Sequence, residues 1–161
     1  MHRLTLLCLA ALTGCGHRPE PVLPAYRDNA AQIYSSAVLD SARLQGHWVQ
    51  VAGFAGGALP CAPGAVDIAG GDVRWSLCLD RLRTGAGPMR PGKTGRFAVA
   101  GTEDWWLLWV DADDRTMVVG TPSGHFGFVL NREASLPADR TRAVRDILQF
   151  NSYDLAKLRF Y

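Results

Sequence analysis

From Gly46 onward, apolar and polar residues alternate in short runs divided by turn residues. A two-residue period marks strands with one face buried. It predicts strands over 46–54, 65–69, 72–79, 95–100, 104–111, 116–121 and 125–131, with a short extra strand near 87–90. Breakers fall between them at Gly56 and Gly57, at Gly70 and Gly71, and over 85–91, 111–114 and 122–124. Strands in this rhythm pair as antiparallel hairpins in chain order, so the expected class is all-β, either an up-and-down barrel or a sandwich. After the last strand the period becomes helical. Pro137 suits a first turn, and Val144, Ile147 and Leu148 form one apolar stripe, which predicts a single C-terminal helix from about 135 to 149, packed on the outside.

Ahead of the strands, His2 and Arg3 precede an apolar run from Leu4 to Leu12. The run is too short to span a bilayer as a helix, which takes roughly 20 residues, and reads as a signal peptide. It ends in Leu12, Thr13, Gly14 and Cys15, which match the lipobox pattern of an aliphatic residue, two small residues and the cysteine that is lipidated. The competing reading is an ordinary secretory signal with an incidental cysteine. Several acyl chains, each adding about 0.8 kcal/mol per buried methylene, would make attachment stable. Pro19, Pro21 and Pro24 in a polar stretch suggest an extended tether. The expected organisation is thus 1–14 signal peptide, 15–38 lipidated cysteine and tether, and 39–161 a folded domain. Gly16 stands where bacterial lipoproteins kept at the inner membrane resemble one another in carrying Asp, so the expected address is the outer membrane.

Net charge is +2 with scattered basic residues, which leaves no electrostatic footprint for nucleic acid. Cys8 leaves with the signal and Cys15 takes lipid. Cys61 and Cys78 remain as a pair in an oxidising compartment, and a disulfide is expected, stabilising by roughly 3 kcal/mol. A metal site would need more ligands, and His47 and His125 have no neighbouring Cys or His. No metal or other cofactor is expected.

Residues 87–94 fit the P-loop pattern letter for letter. The context rejects it: a charged segment precedes, a strand-like segment follows, and Pro88 and Pro91 remove two amides that a phosphate cradle would use. Asp111, Asp113 and Asp114 cluster in a predicted turn but lack the other ligands of a calcium loop. No nucleophile and base can be paired, so catalysis is not expected.

The segment Gly46, His47, Trp48 resembles the Gly-x-Trp that opens the first strand of lipocalins. The run from Trp105 through Asp111, then 115–121, then Phe128 to Arg132, resembles that family's late hairpin and last strand with its closing arginine. Residues 153–158 resemble the close of bacterial lipocalins and apolipoprotein D. The resemblance implies an eight-stranded up-and-down antiparallel barrel with one C-terminal helix. It also implies that Arg132 lies across the Trp48 ring at the barrel floor, a cation–π contact of roughly 0.5–2 kcal/mol. Two departures stand out. Asp114 occupies the turn where the family usually has tyrosine, and 70–101 is shorter and richer in glycine than the family's strands.

A barrel of about eight strands either fills with side chains or holds one small ligand. If Trp48 points inward, strict alternation carries Gln50, Ala52 and Phe54 with it; if Arg132 does, Phe126 and Phe128 follow. The run 105–110 is apolar on both faces, and the family's cavity aromatics favour the face of Trp105, Leu107 and Trp109. These residues are the expected lining for a fatty acid, lysophospholipid or similar apolar molecule stored or carried in the cell envelope. The alternative is a filled barrel that acts through its surface, as a structural or interaction lipoprotein without a ligand.

Overall fold

The computed structural model describes residues 23–36 and 39–161. The expected signal peptide and lipobox, with Cys15, lie outside the described residues. Eight strands run in chain order: β1 (Gly46–Phe54), β2 (Ala65–Ala69), β3 (Asp72–Cys78), β4 (Leu82–Pro91), β5 (Arg96–Val99), β6 (Trp105–Val110), β7 (Thr116–Gly120) and β8 (Gly127–Asn131). Each pairs antiparallel with the next, β8 pairs with β1, and β1 also pairs with β2, which closes the sheet into a barrel. Closure gives each of the eight strands a partner on both sides along at least part of its length. A ninth strand, β9 (Leu158–Phe160), which alternation did not reveal, adds beside the second half of β1. The helix α1 (Ala138–Phe150) lies outside, with Val144 and Leu148 buried on its apolar stripe.

The glycine-rich stretch expected to break the chain around 85–91 is instead part of the longest strand. In β4, Gly85 pairs with Trp75 of β3, and a Cβ at Gly85 would sit 2.5 Å from the Trp75 ring. The glycine leaves room for a large inward side chain on the neighbouring strand. The 87–94 segment is accordingly the end of β4 and a turn into β5, strand to strand, with Gly95 at φ 68 in that turn.

Two bulges decide what faces inward. The β1–β8 register shifts between Gln50 and Ala52, and the β6–β7 register shifts between Leu107 and Trp109. An extra residue on one strand reverses the alternation beyond it. Ala52, Val129, Val118 and Trp109 thereby align across four strands on the outer face, where they join the cluster under α1. The inner cluster holds Trp48, Trp75, Phe97, Trp105, Leu107, Met117, Phe128 and Leu130, among others.

Residues 23–36, read from composition as part of a tether, lie against the barrel. Arg27 is buried, its Nη1 donating to Pro122 O (2.9 Å) and its Nε to Asn151 O (3.3 Å). Tyr26 N donates to Gly124 O, and Tyr34 N to Oδ1 of Asn151 at the end of α1. Ile33 enters the outer cluster. Ser36 N then donates to Leu107 O, beside the short β5–β6 pairing. The segment therefore runs from the loops at one end of the barrel toward the other.

Candidate functional site

The end of the barrel that receives the chain ahead of β1 is closed. A short 3-10 turn (Ser41–Leu44) covers it, capped by Asp40, and Trp48 Nε1 donates to Leu44 O at 2.8 Å. The Arg132 guanidinium lies 3.5 Å from the centre of the Trp48 ring. Burial holds the Arg132 pKa below its usual value, with Asp114 acting in the opposite direction. Asp114, the residue noted as a departure from the usual tyrosine, takes φ 55 and pairs with Arg43 Nε at 2.6 Å, so the turn is tied down by charge. Asp111 accepts from the amides of Arg115 and Thr116 and pairs with Arg140 of α1. The acidic cluster thus shapes a turn and anchors the helix. Among the described residues no three His, Cys, Asp or Glu side chains are placed to hold a metal ion.

The opposite end is open. A cavity of about 210 Å³ lies there, walled by Trp75, Leu79 and Phe126 and rimmed by Asp80, Arg83 and Glu103. Trp75 comes from the inward alternation of β3, and its Nε1 donates to Ala100 O at 3.3 Å. Asp80 receives Arg83 Nε (2.6 Å) and Nη2 (2.8 Å); this hydrogen-bonded pairing lowers the carboxyl pKa and raises that of Arg83. Across the mouth, Ser123 Oγ lies 2.7 Å from both carboxylate oxygens of Glu103. Leu23 and Pro24 complete the lining, and Nδ1 of His125 donates to Pro24 O at 3.2 Å.

The disulfide joins Cys61 to Cys78, fastening the long β1–β2 loop to the end of β3 at this open end. Gln50 reinforces the same junction. Its Oε1 accepts from the amides of Cys78 (2.8 Å) and Gly64 (3.2 Å), and its Nε2 donates to Cys78 O (2.9 Å). Gln50 does point inward, but its carbonyl and one amide hydrogen serve the backbone.

The other expected lining residues divide three ways. Phe126 lines the cavity. Trp105, Leu107 and Phe128 point inward and are fully buried in the packed core beneath it, with Trp105 edge-on to Phe128 at 5.2 Å and to Trp75 at 6.3 Å. Ala52, Phe54 and Trp109 belong to the outer cluster, because the two bulges turn them away from the interior. Phe54 packs on Tyr153 at 5.0 Å. Trp105 Nε1 is a buried donor without a partner, one ring deeper than the cavity. Trp75, Leu79, Asp80, Arg83 and Glu103 were not expected at the site. The alternation of Val73, Trp75 and Leu77 marks the first of them, whereas the others sit in turns and at strand ends where no period exists.

Comparison with known proteins agrees with this architecture. The family model described as a lipocalin-like domain matches residues 93–161. No curated protein matches by sequence. Among solved structures, the allergen Per a 4 from cockroaches superposes with a TM-score of 0.59 at 13% identity, covering 83% of this chain and 94% of that one. The siderocalin Ex-FABP, described as functioning through dual ligand specificities, superposes with a TM-score of 0.54 at 9% identity, covering 72% and 91%. The closed eight-stranded up-and-down barrel, the helix that follows it and these likenesses together establish that the chain has the lipocalin fold.

Proposed function

We propose that this chain is a lipid-anchored lipocalin of the bacterial outer membrane that holds a small apolar ligand at the mouth of its barrel. The open-end cavity carries this reading. Its wall of Trp75, Leu79 and Phe126 offers apolar surface, and Asp80, Arg83 and Glu103 at the rim suit a polar head left in water. At about 210 Å³ the cavity is smaller than the roughly 300–1,000 Å³ of drug-sized sites. It fits part of an acyl chain, with the rest of a fatty acid or lysophospholipid outside. The anchor rests on the lipobox at Cys15, and Cys15→Ser should move the protein from the membrane to the soluble fraction.

Titrating the soluble Cys15→Ser protein with a fluorescent fatty acid, followed by competition with lysophospholipid, tests the ligand reading. Saturable binding is expected, weakened about tenfold in Phe126→Asp because an apolar wall becomes charged. Absence of saturable binding to either lipid class, at any chain length, would refute it. The second reading, a filled barrel acting through its surface, is favoured by the packing below the cavity, where Trp48, Trp105, Leu107 and Phe128 are all at most 1% exposed.

A further inference from the structure

We propose that the open end of the barrel docks on a phospholipid bilayer, so that the cavity faces the membrane from which its ligand comes; this rests on the lipid anchor at Cys15. Three observations converge on that end. First, the chain reaches the barrel at the mouth: Leu23 and Pro24 line the cavity, and Pro24 O is held by His125. Only residues 16–22 separate Leu23 from Cys15. The eight steps from Cys15 to Leu23 span about 15 Å as a flexible coil and at most about 28 Å fully drawn out.

Second, the relaxed span of about 15 Å is shorter than the barrel. The nine residues of β1 rise about 30 Å along the strand, or about 23 Å along the axis of a barrel whose strands tilt by about 40°. The loops at both ends add to that height. With the closed end on the membrane, Leu23 would stand farther from the surface than a relaxed tether spans. With the mouth on the membrane, the tether is unstrained.

Third, the rim carries the side chains a bilayer surface accepts. Leu82 at the start of β4 is 55% exposed and Leu23 is 43% exposed. Arg81, next to Leu82, has a side chain 71% exposed, with its Nη1 3.2 Å from Oδ2 of Asp80. Exposed apolar residues beside a basic one bind the interface through buried area and attraction to anionic headgroups. Two of the other large exposed apolar side chains, Tyr34 and Phe150, pack on each other as a tilted ring pair at 5.4 Å.

The test uses the full-length chain made in a bacterial host, as Leu82→Cys and Ala112→Cys variants. Ala112 lies exposed in the β6–β7 turn at the closed end. Each is labelled with an environment-sensitive fluorophore and reconstituted in phosphatidylethanolamine–phosphatidylglycerol vesicles bearing a headgroup quencher. Intact mass reports lipid on Cys15. Several-fold stronger quenching at position 82 than at 112 is the expected result. Equal or reversed quenching with lipid present overturns the orientation and leaves the anchor standing; no lipid on Cys15 removes the tether and overturns both.

Discussion

The Arg132 side chain closes the barrel floor with two kinds of contact at once. Its guanidinium lies 3.5 Å from the Trp48 ring centre. Its Nη1 donates to His47 O (2.9 Å), its Nη2 to Gln45 O (2.8 Å) and its Nε to Asp114 O (3.2 Å). The planar fork thus joins the last strand to the segment leading into the first. A lysine keeps the charge but neither the plane nor the number of donors. Arg132→Lys should therefore lower unfolding stability by about 1–3 kcal/mol. Urea denaturation checks this, and a midpoint unchanged from wild type would count against the closure role.

Gly85 and Trp75 set the second expectation. An added Cβ would meet the Trp75 ring at 2.5 Å, so Gly85→Ala must displace the ring from the cavity wall. Overpacking of this kind costs about 1–3 kcal/mol. Near-ultraviolet circular dichroism should change, and fatty-acid binding should weaken, in a variant that remains folded. Unaltered binding would show that the Trp75 wall is not where the ligand sits.

Reduction of the Cys61–Cys78 disulfide should cost about 3 kcal/mol in the chain-entropy view. The Gln50 hydrogen bonds to Gly64 and Cys78 span the same junction, so the barrel should still form. Reductant should lower the melting temperature, and a Cys61→Ser/Cys78→Ser double variant should melt with the reduced protein. A complete loss of cooperative unfolding would mean that the bond is required for the fold itself.

Alkaline stability should depend on Tyr153. Its side chain occupies space left by Gly120 and Gly127, where Cβ atoms would approach its hydroxyl to 2.6 Å and its ring to 3.0 Å, and its hydroxyl accepts from Thr121 N at 2.9 Å. Burial pushes its pKa from near 10 to about 12. The unfolded chain loses this proton first, so the contribution is intact below about pH 10 and falls away as pH rises through about 12. The full effect is about 2–3 kcal/mol. Tyr153→Phe should be less stable at neutral pH, because Thr121 N loses its acceptor, and should show a flatter decline between these limits. Equal slopes for the two proteins would contradict the assignment.

Much of the architecture was legible in the chain. Alternation and its breakers located seven of the barrel strands to within a few residues, the stripe of Val144, Ile147 and Leu148 placed the helix, and the compartment argument paired Cys61 with Cys78. Trp48 and Arg132 met as the family resemblance implied. These features depend on local periodicity or on few partners, and a sequence records both. The choice of faces beyond Gln50 and Leu107 depended on bulges, which arise from register against neighbouring strands and leave no mark in either strand alone. Likewise Gly85 reads as a breaker until Trp75 is seen to fill the space above it. The mouth cavity is a tertiary decision for the same reason: it lies among side chains from turns and strand ends that only closure of the barrel brings together, while the aromatics expected to line it pack beneath it.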